Sequence, residues 1–315
     1  MILSCGDALI DFVPTTTGQG RDALMPAVGG SCLNVAIGLA RLGAPTGFVG
    51  GISNDLFGGM IADHAAASNV DLRYATRSDD QTTLAFVRIV AGESHYAFYD
   101  SATAARNWTC PTGLIPFATV DAVHVGSTTL VHDQGAAETQ AMIAQARRSA
   151  TISFDPNCRP NLVKDKTAYR ARMDGFAAAA DMIKMSDVDF DYLHGHDRYA
   201  ERAETLLAEG RSLFVVTRGP KGALAWHSSA GAVEIAAPAV RVVDTIGAGD
   251  SFQAALLFGL HKQGRIGKAE MAAMSQAELR RALSFAAACA AVTCTRPGAD
   301  PPRWPEMAAT WDGLA

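Results

Sequence analysis

The stretch DTIGAGDSF, residues 244–252, places three small residues between two aspartates at the point where a helix begins. After it, apolar residues recur at helical spacing until Gly264, which is a typical helix stop. Residues 247–249 therefore lie at a helix N-terminus, where free backbone N–H groups and the helix dipole favour an anion such as phosphate. A simpler alternative is that Asp250 or Ser251 caps the helix after a tight turn.

Length, composition and charge narrow the class of protein. The chain has 315 residues, 49% of them hydrophobic, and a formal charge of −5 with no long basic run. Nucleic acid and anionic membranes are therefore poor candidates as partners, and no segment is suited to span a membrane. The N-terminal residues have no basic leader before the apolar ones, and Asp7 and Asp11 follow within the first twelve residues. This pattern predicts a first strand rather than a signal peptide. Six scattered cysteines without a C-x-x-C pair favour a reducing cytoplasm.

Strand-like and helix-like segments alternate along most of the chain, from MILSCG and NVAIGLARLG through TISFDP to SLFVVTRG. The strand-like segments are apolar on both faces, as in a parallel sheet that helices cover on both sides. The pattern predicts an α/β fold of three layers, α/β/α, with a mostly parallel central sheet.

Two segments break this alternation. TLAFVRIV and HYAFYD show the period of strands and are joined by AGES, which predicts a hairpin. Together with the segment after Asp11, they predict a small β-sheet from about 12–27 and 83–101, inserted within one domain, 1–315. A lid over a binding site is one interpretation, and an ordinary extension of the main sheet is the other.

A second glycine cluster, AVGGSCLNVAIGLARLG at 27–43, sets a Gly-Gly pair ahead of Asn34. The glycines allow a ligand to approach the main chain, and the Asn34 amide can both donate to and accept from a hydroxyl. Asp11, at the end of the first strand, can accept from two neighbouring hydroxyls. Asp11 and Asn34 together suit a sugar with several hydroxyls. The alternative is that Asn34 is only an N-cap of its helix.

The sequence contains neither a Walker A loop nor a G-x-G-x-x-G after the first strand. These absences argue against a P-loop NTPase and a standard dinucleotide enzyme. The segment TRGPKGAL at 217–224 follows a strong strand, at the edge where α/β folds bind ligands. A Gly-Pro turn into the next strand explains it equally well.

The whole chain resembles the ribokinase-like (PfkB) sugar kinase family, and within it the bacterial fructokinase branch. CGDALIDF resembles the opening strand, GGSCLNVAIGLARLG the N-terminal signature, SFDPNCRPNL the D-x-N-x-R-P segment and DTIGAGDSF the D-T-x-G-A-G-D signature. The resemblance implies an ATP-dependent kinase that phosphorylates a primary hydroxyl of a ketohexose, above all D-fructose. The alternatives are a 2-keto-3-deoxygluconate kinase, another sugar or nucleoside kinase of this type, and a catalytically silent sugar or nucleotide sensor.

The resemblance also implies a role for each matching residue. Asp250 would be the base, with an anion hole formed by Gly247, Ala248 and Gly249. The sugar would be held by Asp11, Gly29, Gly30, Asn34, Phe98, Asp100, Arg106 and Arg159. The nucleotide-binding site would be lined by Lys184, Thr217, Gly219, Gly222, Thr245 and Ala287. Mg²⁺ would bind together with ATP and would interact with Asp189 through water. The Asp244 region would contribute to a K⁺ site.

The chain departs from the family pattern at three places. Ser31 and Cys32 replace Ala-Pro in the N-terminal signature, which would add a thiol near the sugar. The N-x-x-E motif becomes residues 186–189, Ser-Asp-Val-Asp, whose shorter carboxylate would weaken control of the metal. Ala287 stands where fructokinases often carry an Asn near adenine, which leaves the choice of nucleotide open.

The residue after Tyr99 bears on the sugar. Related kinases that take the sugar acid typically carry Arg at this point, whereas Asp100 would repel a carboxylate and accept from hydroxyls. Arg106 and Arg159 remain available to an acid. The small sheet is also expected to pair two chains into a homodimer, because alternating apolar residues such as Phe86 and Phe98 leave one face and an edge to cover.

Overall fold

The structure is a computed structural model and describes residues 1–90 and 93–314. The strands are β1 (Ile2–Cys5), β2 (Leu9–Thr16), β3 (Asp22–Gly29), β4 (Thr46–Val49), β5 (Gly51–Ser53), β6 (Thr76–Ser78), β7 (Thr83–Val90), β8 (Glu93–Tyr99), β9 (Ala122–Gly126), β10 (Thr151–Asp155), β11 (Met182–Ser186), β12 (Leu213–Thr217), β13 (Ala223–His227) and β14 (Gly231–Ile235). The helices are α1 (Ser31–Arg41), α2 (Leu56–Ala67), α3 (Asp133–Ala146), α4 (Lys166–Ala179), α5 (Asp187–His194), α6 (Tyr199–Ala208), α7 (Ala248–Lys262), α8 (Lys268–Ala272), α9 (Gln276–Cys294) and α10 (Trp304–Gly313). None of the described helices has the length and apolarity needed to span a membrane.

Eight strands form the main sheet in the order β14-β13-β12-β11-β10-β9-β1-β4. The six strands from β12 to β4 are parallel, and β13 and β14 add an antiparallel edge. Successive residues enter different cores: Ile2 belongs to the core built with α1, α7 and α9, and Leu3 to the core built with α3, α4 and α5. Helices therefore cover both faces, which explains the apolar strands and confirms the expected three-layer α/β/α fold.

A separate four-stranded sheet has the order β3-β2-β7-β8. The β2–β3 and β7–β8 pairs are antiparallel, and β2 runs parallel to β7. The predicted hairpin is thus present, although β8 begins at Glu93, within the expected AGES loop. Residues 91 and 92 of that loop lie outside the described part of the chain.

The expectation that the N-terminus forms one strand ending at Asp11 is wrong. The chain leaves the main sheet after β1 and enters the small sheet as β2, so Asp11 lies inside a strand of the small sheet. Asp7 stabilises the turn between them. Its carboxylate accepts hydrogen bonds from the Cys32 backbone N–H at 3.1 Å and from the hydroxyls of Ser127 at 2.8 Å and Thr128 at 3.1 Å.

The two faces of the small sheet differ. Phe86 pairs with Phe12 of β2 and with Ala97 of β8, so the three residues share a face. The rings of Phe12 and Phe86 stack with 4.8 Å between their centroids. Phe98 pairs with Ala85 and therefore points to the opposite face, which also carries Asp11. The sequence-based expectation grouped Phe86 with Phe98 as one apolar surface, and the strand register shows that this grouping is wrong.

Gly126→Ala is expected to lower the free energy of unfolding by about 1–3 kcal/mol, the usual effect of overpacking a core. A Cβ at Gly126 in β9 would lie 2.1 Å from the carbonyl oxygen of Asp155 in β10, so the two strands would have to separate. Urea denaturation followed by circular dichroism measures the change.

Gly175→Ala provides the matched control. Gly175 lies within α4, and no heavy atom would come within 4 Å of the added Cβ. Ala is the better helix former, so this variant should be as stable as the parent or up to about 1 kcal/mol more stable. Equal stability of the two variants would contradict the steric explanation.

Candidate active site

The first turns of α1 and α7 meet at the centre of the candidate site. Helix α7 begins at Ala248 with Gly247 as N-cap, and the φ of 74° at Gly247 is in the left-handed region that favours glycine. Asp250 is therefore the third residue of the helix. The alternative in which Asp250 or Ser251 is the N-cap is wrong.

The Asp250 carboxylate is buried and accepts two side-chain hydrogen bonds from α1. The Ser31 hydroxyl donates to its Oδ1 at 2.6 Å, and the Asn34 amide donates to its Oδ2 at 2.9 Å. Asn34 is the fourth residue of α1, after the N-cap Gly30, so its alternative role as an N-cap is also wrong. Sequence reasoning marked Ser31 only as a departure from a family pattern and missed this contact.

Burial raises the pKa of Asp250, since a charged carboxylate loses its hydration. The hydrogen bonds from Ser31 and Asn34 and the positive charge of Lys184 act in the opposite direction, whereas Asp155 adds to the rise. Ser31, Asn34 and Lys184 therefore favour the charged form of Asp250.

Lys184 on β11 forms a buried ion pair with Asp155 at the end of β10, with 2.7 Å between Nζ and Oδ2. A Cβ on Gly249 would lie 3.4 Å from this Nζ, so the cation sits directly beside the predicted anion hole. Burial alone would lower the pKa of Lys184, but Asp155 raises it above its ordinary value. The sequence reasoning missed Asp155, although it is the aspartate of the D-x-N segment.

Asp11 and the glycine pair form the neighbouring part of the site. A Cβ on Gly29 would lie 2.1 Å from Asp11 Oδ2, and one on Gly30, whose φ is 104°, would lie 2.5 Å from the Asp7 carbonyl oxygen. At Gly30 the positive φ and the backbone contact require glycine, whereas a Cβ at Gly29 would have to displace the Asp11 carboxylate. Burial raises the pKa of Asp11 to about 7, and the charge of Arg159 opposes that rise.

Asp100 is paired rather than free. Its carboxylate accepts from His132 Nε2 at 2.5 Å and from Arg106 Nη1 at 3.4 Å, in a cleft that Phe98 also lines. The hydrogen bond from His132 and the charges of His132 and Arg106 lower the pKa of Asp100. Asp100 therefore does not present an unpaired negative charge, and its sign alone does not exclude a sugar acid. His132 was missed because no sequence pattern links it to Asp100.

Arg159 turns back on its own loop. Its guanidinium donates to the carbonyl oxygens of Asn157 at 3.2 Å and Cys158 at 3.0 Å, while its charge still acts on Asp11. The side chain thus lies in the same electrostatic environment as Asp11, and its contact with a sugar stays a prediction.

The predicted nucleotide residues are less tightly grouped. Thr217 ends β12 and pairs with Ser186, two residues beyond Lys184. Gly222 is required by the turn, because its φ is 81° and a Cβ would lie 1.9 Å from the Ile235 carbonyl oxygen. Gly219, also in this turn, has a φ of 51°. Thr245 is exposed before α7, whereas Ala287 is only 7% exposed within α9.

The two predicted metal residues use their carboxylates within the protein. Asp189 accepts from the Ser186 hydroxyl at 2.7 Å and from the Cys158 backbone N–H at 2.8 Å, and Ser186 and Asp189 together form the capping box of α5. Asp244 accepts from the backbone N–H groups of Ile246 at 3.0 Å and Gly298 at 2.8 Å. In the described ranges, no three His, Cys, Asp or Glu side chains come together as a metal site.

The expected thiol near the sugar is not available there. Cys32 is fully buried, and its Sγ lies 3.6 Å from the Gly126 carbonyl oxygen. Burial raises the pKa of this thiol, so it stays neutral and packs as an apolar group.

A family model described as pfkB family carbohydrate kinase matches residues 1–307. The chain belongs to this family. A fructokinase of Rhizobium leguminosarum bv. trifolii is 37% identical over 282 residues, which are 89% of this chain and 86% of the relative. Enzymes of the PfkB family transfer phosphoryl groups to carbohydrates, so this PfkB chain is a carbohydrate kinase and the predicted family is confirmed.

Two solved structures are similar to this PfkB kinase. A fructokinase of Xylella fastidiosa with bound ATP has a TM-score of 0.89 and 28% identity, covering 99% of this chain and 98% of that one. A double mutant of a Vibrio cholerae fructokinase with bound fructose, ADP and potassium has a TM-score of 0.79 and 26% identity, covering 95% and 93%.

Lys184→Met is expected to lower the free energy of unfolding by about 3–5 kcal/mol, because it leaves the buried Asp155 carboxylate without its counter-charge. Adding Asp155→Leu should recover part of this loss, since the double variant removes both charges of the ion pair. Lys268→Met is the control, because Lys268 pairs with Asp181 at a partly exposed site and should cost about 1 kcal/mol or less. Urea denaturation of the four proteins tests this, and similar losses for the two Lys→Met variants would contradict it.

Proposed function

We propose that this PfkB kinase is an ATP-dependent fructokinase that phosphorylates a primary hydroxyl of D-fructose. One observation carries the proposal: a buried carboxylate, Asp250, stands two residues beyond Ala248, the first residue of α7, with Lys184 beside the same turn. A proton acceptor for the attacking hydroxyl and a site for the negative charge of the phosphoryl group are thus adjacent. Phosphoryl transfer requires both.

In the proposed reaction, Asp250 accepts the proton of the attacking fructose hydroxyl. The backbone N–H groups of the first turn of α7, with Gly249 leaving the approach open, stabilise the charge on the transferred phosphoryl group. Lys184 adds a positive charge at the same point. Its ion pair with Asp155 fixes the Nζ, so the cation needs no rearrangement during the reaction.

ATP is the proposed phosphoryl donor, with Mg²⁺ bound to its phosphates. Magnesium retains several waters and takes oxygen ligands. The Asp189 carboxylate already accepts from Ser186 and Cys158, so it fits contact with the ion through water better than direct ligation. The carboxylate and carbonyl oxygens around Asp244 are suitable donors for K⁺, and the potassium in the Vibrio cholerae relative supports a monovalent ion in this family.

Fructose is supported by Asp11 and by the relatives. The Asp11 carboxylate lies beside the Gly29–Gly30 turn, where hydroxyls of a sugar can reach both the carboxylate and the main chain. The paired Asp100 offers remaining lone pairs to hydroxyls without needing a cationic ligand. The Rhizobium leguminosarum relative is a fructokinase, and fructose is bound in the Vibrio cholerae structure.

The small sheet is proposed to act as a lid and as the surface that pairs two chains. Its Asp11 face turns towards the site, while its other face carries Phe12 and Phe86 together with Leu24 and Tyr99, which are 46% and 64% exposed. A second copy of the chain would cover this apolar face and the free edge of β3.

Asp250→Asn is expected to lower kcat with fructose by about 10²–10⁴-fold while leaving fructose and ATP binding near normal. Asn keeps the shape of the side chain but does not accept the proton. ADP release in a coupled assay measures kcat, and calorimetry measures binding. Asp191→Asn, on an exposed part of α5, is the control and should retain full activity.

The same assay with a panel of sugars separates a kinase from a silent sensor. A parent protein that binds fructose and ATP but releases no ADP would be a sensor. Normal kcat in Asp250→Asn would contradict the assignment of the base.

The KM for fructose is expected to fall about tenfold between pH 6 and pH 8, because Asp11 has a pKa of about 7 in the ligand-free protein. Below that pH the neutral carboxyl keeps its proton and accepts poorly from two hydroxyls, whereas above it the carboxylate accepts from both. Asp11→Asn should bind fructose weakly with a KM that is nearly independent of pH. A pH-independent KM in the parent would contradict the proposed contact.

The proposed dimer is expected to give a mass of two chains in light scattering at micromolar concentration. Leu24→Glu places a charge on the exposed apolar face of the lid and should reduce the mass to one chain. Glu201→Gln, on the outer helical layer, should leave the mass unchanged. A parent protein with the mass of one chain would remove the proposal.

A further inference from the structure

Ser31 makes the shortest hydrogen bond to the proposed base. Its hydroxyl donates to Asp250 Oδ1 at 2.6 Å, and the two residues are separated by 219 positions in the sequence. Ser31 is the first residue of α1 and is only 7% exposed. The proposed reaction assigns it no role, and the family pattern that the chain resembles has Ala at this position.

The two donors on Asp250 act on different atoms. Ser31 donates to Oδ1 and Asn34 to Oδ2, so together they define the plane of the carboxylate. A carboxylate oxygen has two acceptor sites, so each oxygen keeps one for the hydroxyl of a substrate. Removing the Ser31 hydroxyl would leave Oδ1 without the donor that it has in the described structure, inside a buried site.

We propose that Ser31 is a positioning residue for the base, whose hydroxyl holds the Asp250 carboxylate in one orientation and favours its charged form. This inference rests on the proposed kinase reaction. A hydrogen bond to a charged acceptor in a buried site is stronger than one between neutral groups, so a single hydroxyl is sufficient to change the protonation of the base.

The other ionisable groups near Asp250 come from five elements. Lys184 favours its charged form, and Asp155 opposes it. Among the described residues, the Asp250 charge also raises the pKa values of Asp11 on β2, Cys32 on α1 and Tyr96 on β8. Burial keeps the Cys32 thiol neutral, so it places no charge near the base. Ser31→Ala removes none of them, so their contributions are shared by the parent and the variant.

The test is the pH dependence of a single turnover with saturating fructose and MgATP, measured by rapid quench. In Ser31→Ala, the pH at which the rate falls on the acid side should move upward by about one unit, because the charged base has lost a donor. The KM for fructose should change by less than about threefold, since Asp11 and Asn34 are retained. Cys32→Ala is the matched control: it also removes one heavy atom from the first turn of α1, and it should not move the profile.

A second measurement does not depend on activity. Carbon-13 NMR of protein labelled at aspartate carboxyls, with Asp250→Asn to assign the signal, follows the protonation of Asp250 directly. The midpoint should rise by about one pH unit in Ser31→Ala and not in Cys32→Ala. An unchanged midpoint would overturn the inference, even if the parent is active. If the midpoint rises in Ser31→Ala but the parent protein has no fructokinase activity, the role of Ser31 is supported and the proposed function is rejected.

Discussion

The hydrogen bonds from the first turn of α1 to the Asp250 carboxylate are the contacts on which the site depends. They join α1, which directly follows β3 of the small sheet, to the first turn of α7. The proposed sugar-binding residues and the proposed anion-binding turn are thereby held on either side of one carboxylate. Because Ser31 and Asn34 are one helical turn apart, α1 places both donors on the same face, and the carboxylate has little freedom to rotate.

The charges of the site are costly to bury, and this cost explains its arrangement. Asp11, Asp155 and Asp250 are carboxylates within or beside the core, and Lys184 is the buried cation among them. Removing such groups from water disfavours the charged forms, which is why the pKa values of Asp11 and Asp250 rise. A fold selected for stability alone would place apolar residues here, so the cluster indicates a functional site.

Local patterns predicted much of the fold. Apolar strands alternating with helices predicted the parallel sheet, and the period of residues 83–90 predicted a hairpin strand. The start of α7 followed from small residues ahead of an amphipathic segment. The break between β1 and β2 was missed because apolar residues stand on both sides of Gly6 and Asp7, so the two strands resemble one continuous strand. The turn depends on Asp7 accepting hydrogen bonds from Ser127 and Thr128, which are remote in sequence.

The sequence by itself determined the class of fold, a helix N-terminus near residues 247–249 and the carboxylate at 250 beside it, because these depend on residues adjacent in the chain. Only the tertiary structure decided that Lys184 pairs with Asp155, that His132 forms a hydrogen bond with Asp100 and that Ser31 donates to the proposed base. Each of these contacts joins residues 29 to 219 positions apart. Local propensity carries no information about such pairs, since they form only when the parallel strands and the two helix N-termini converge at one edge of the sheet.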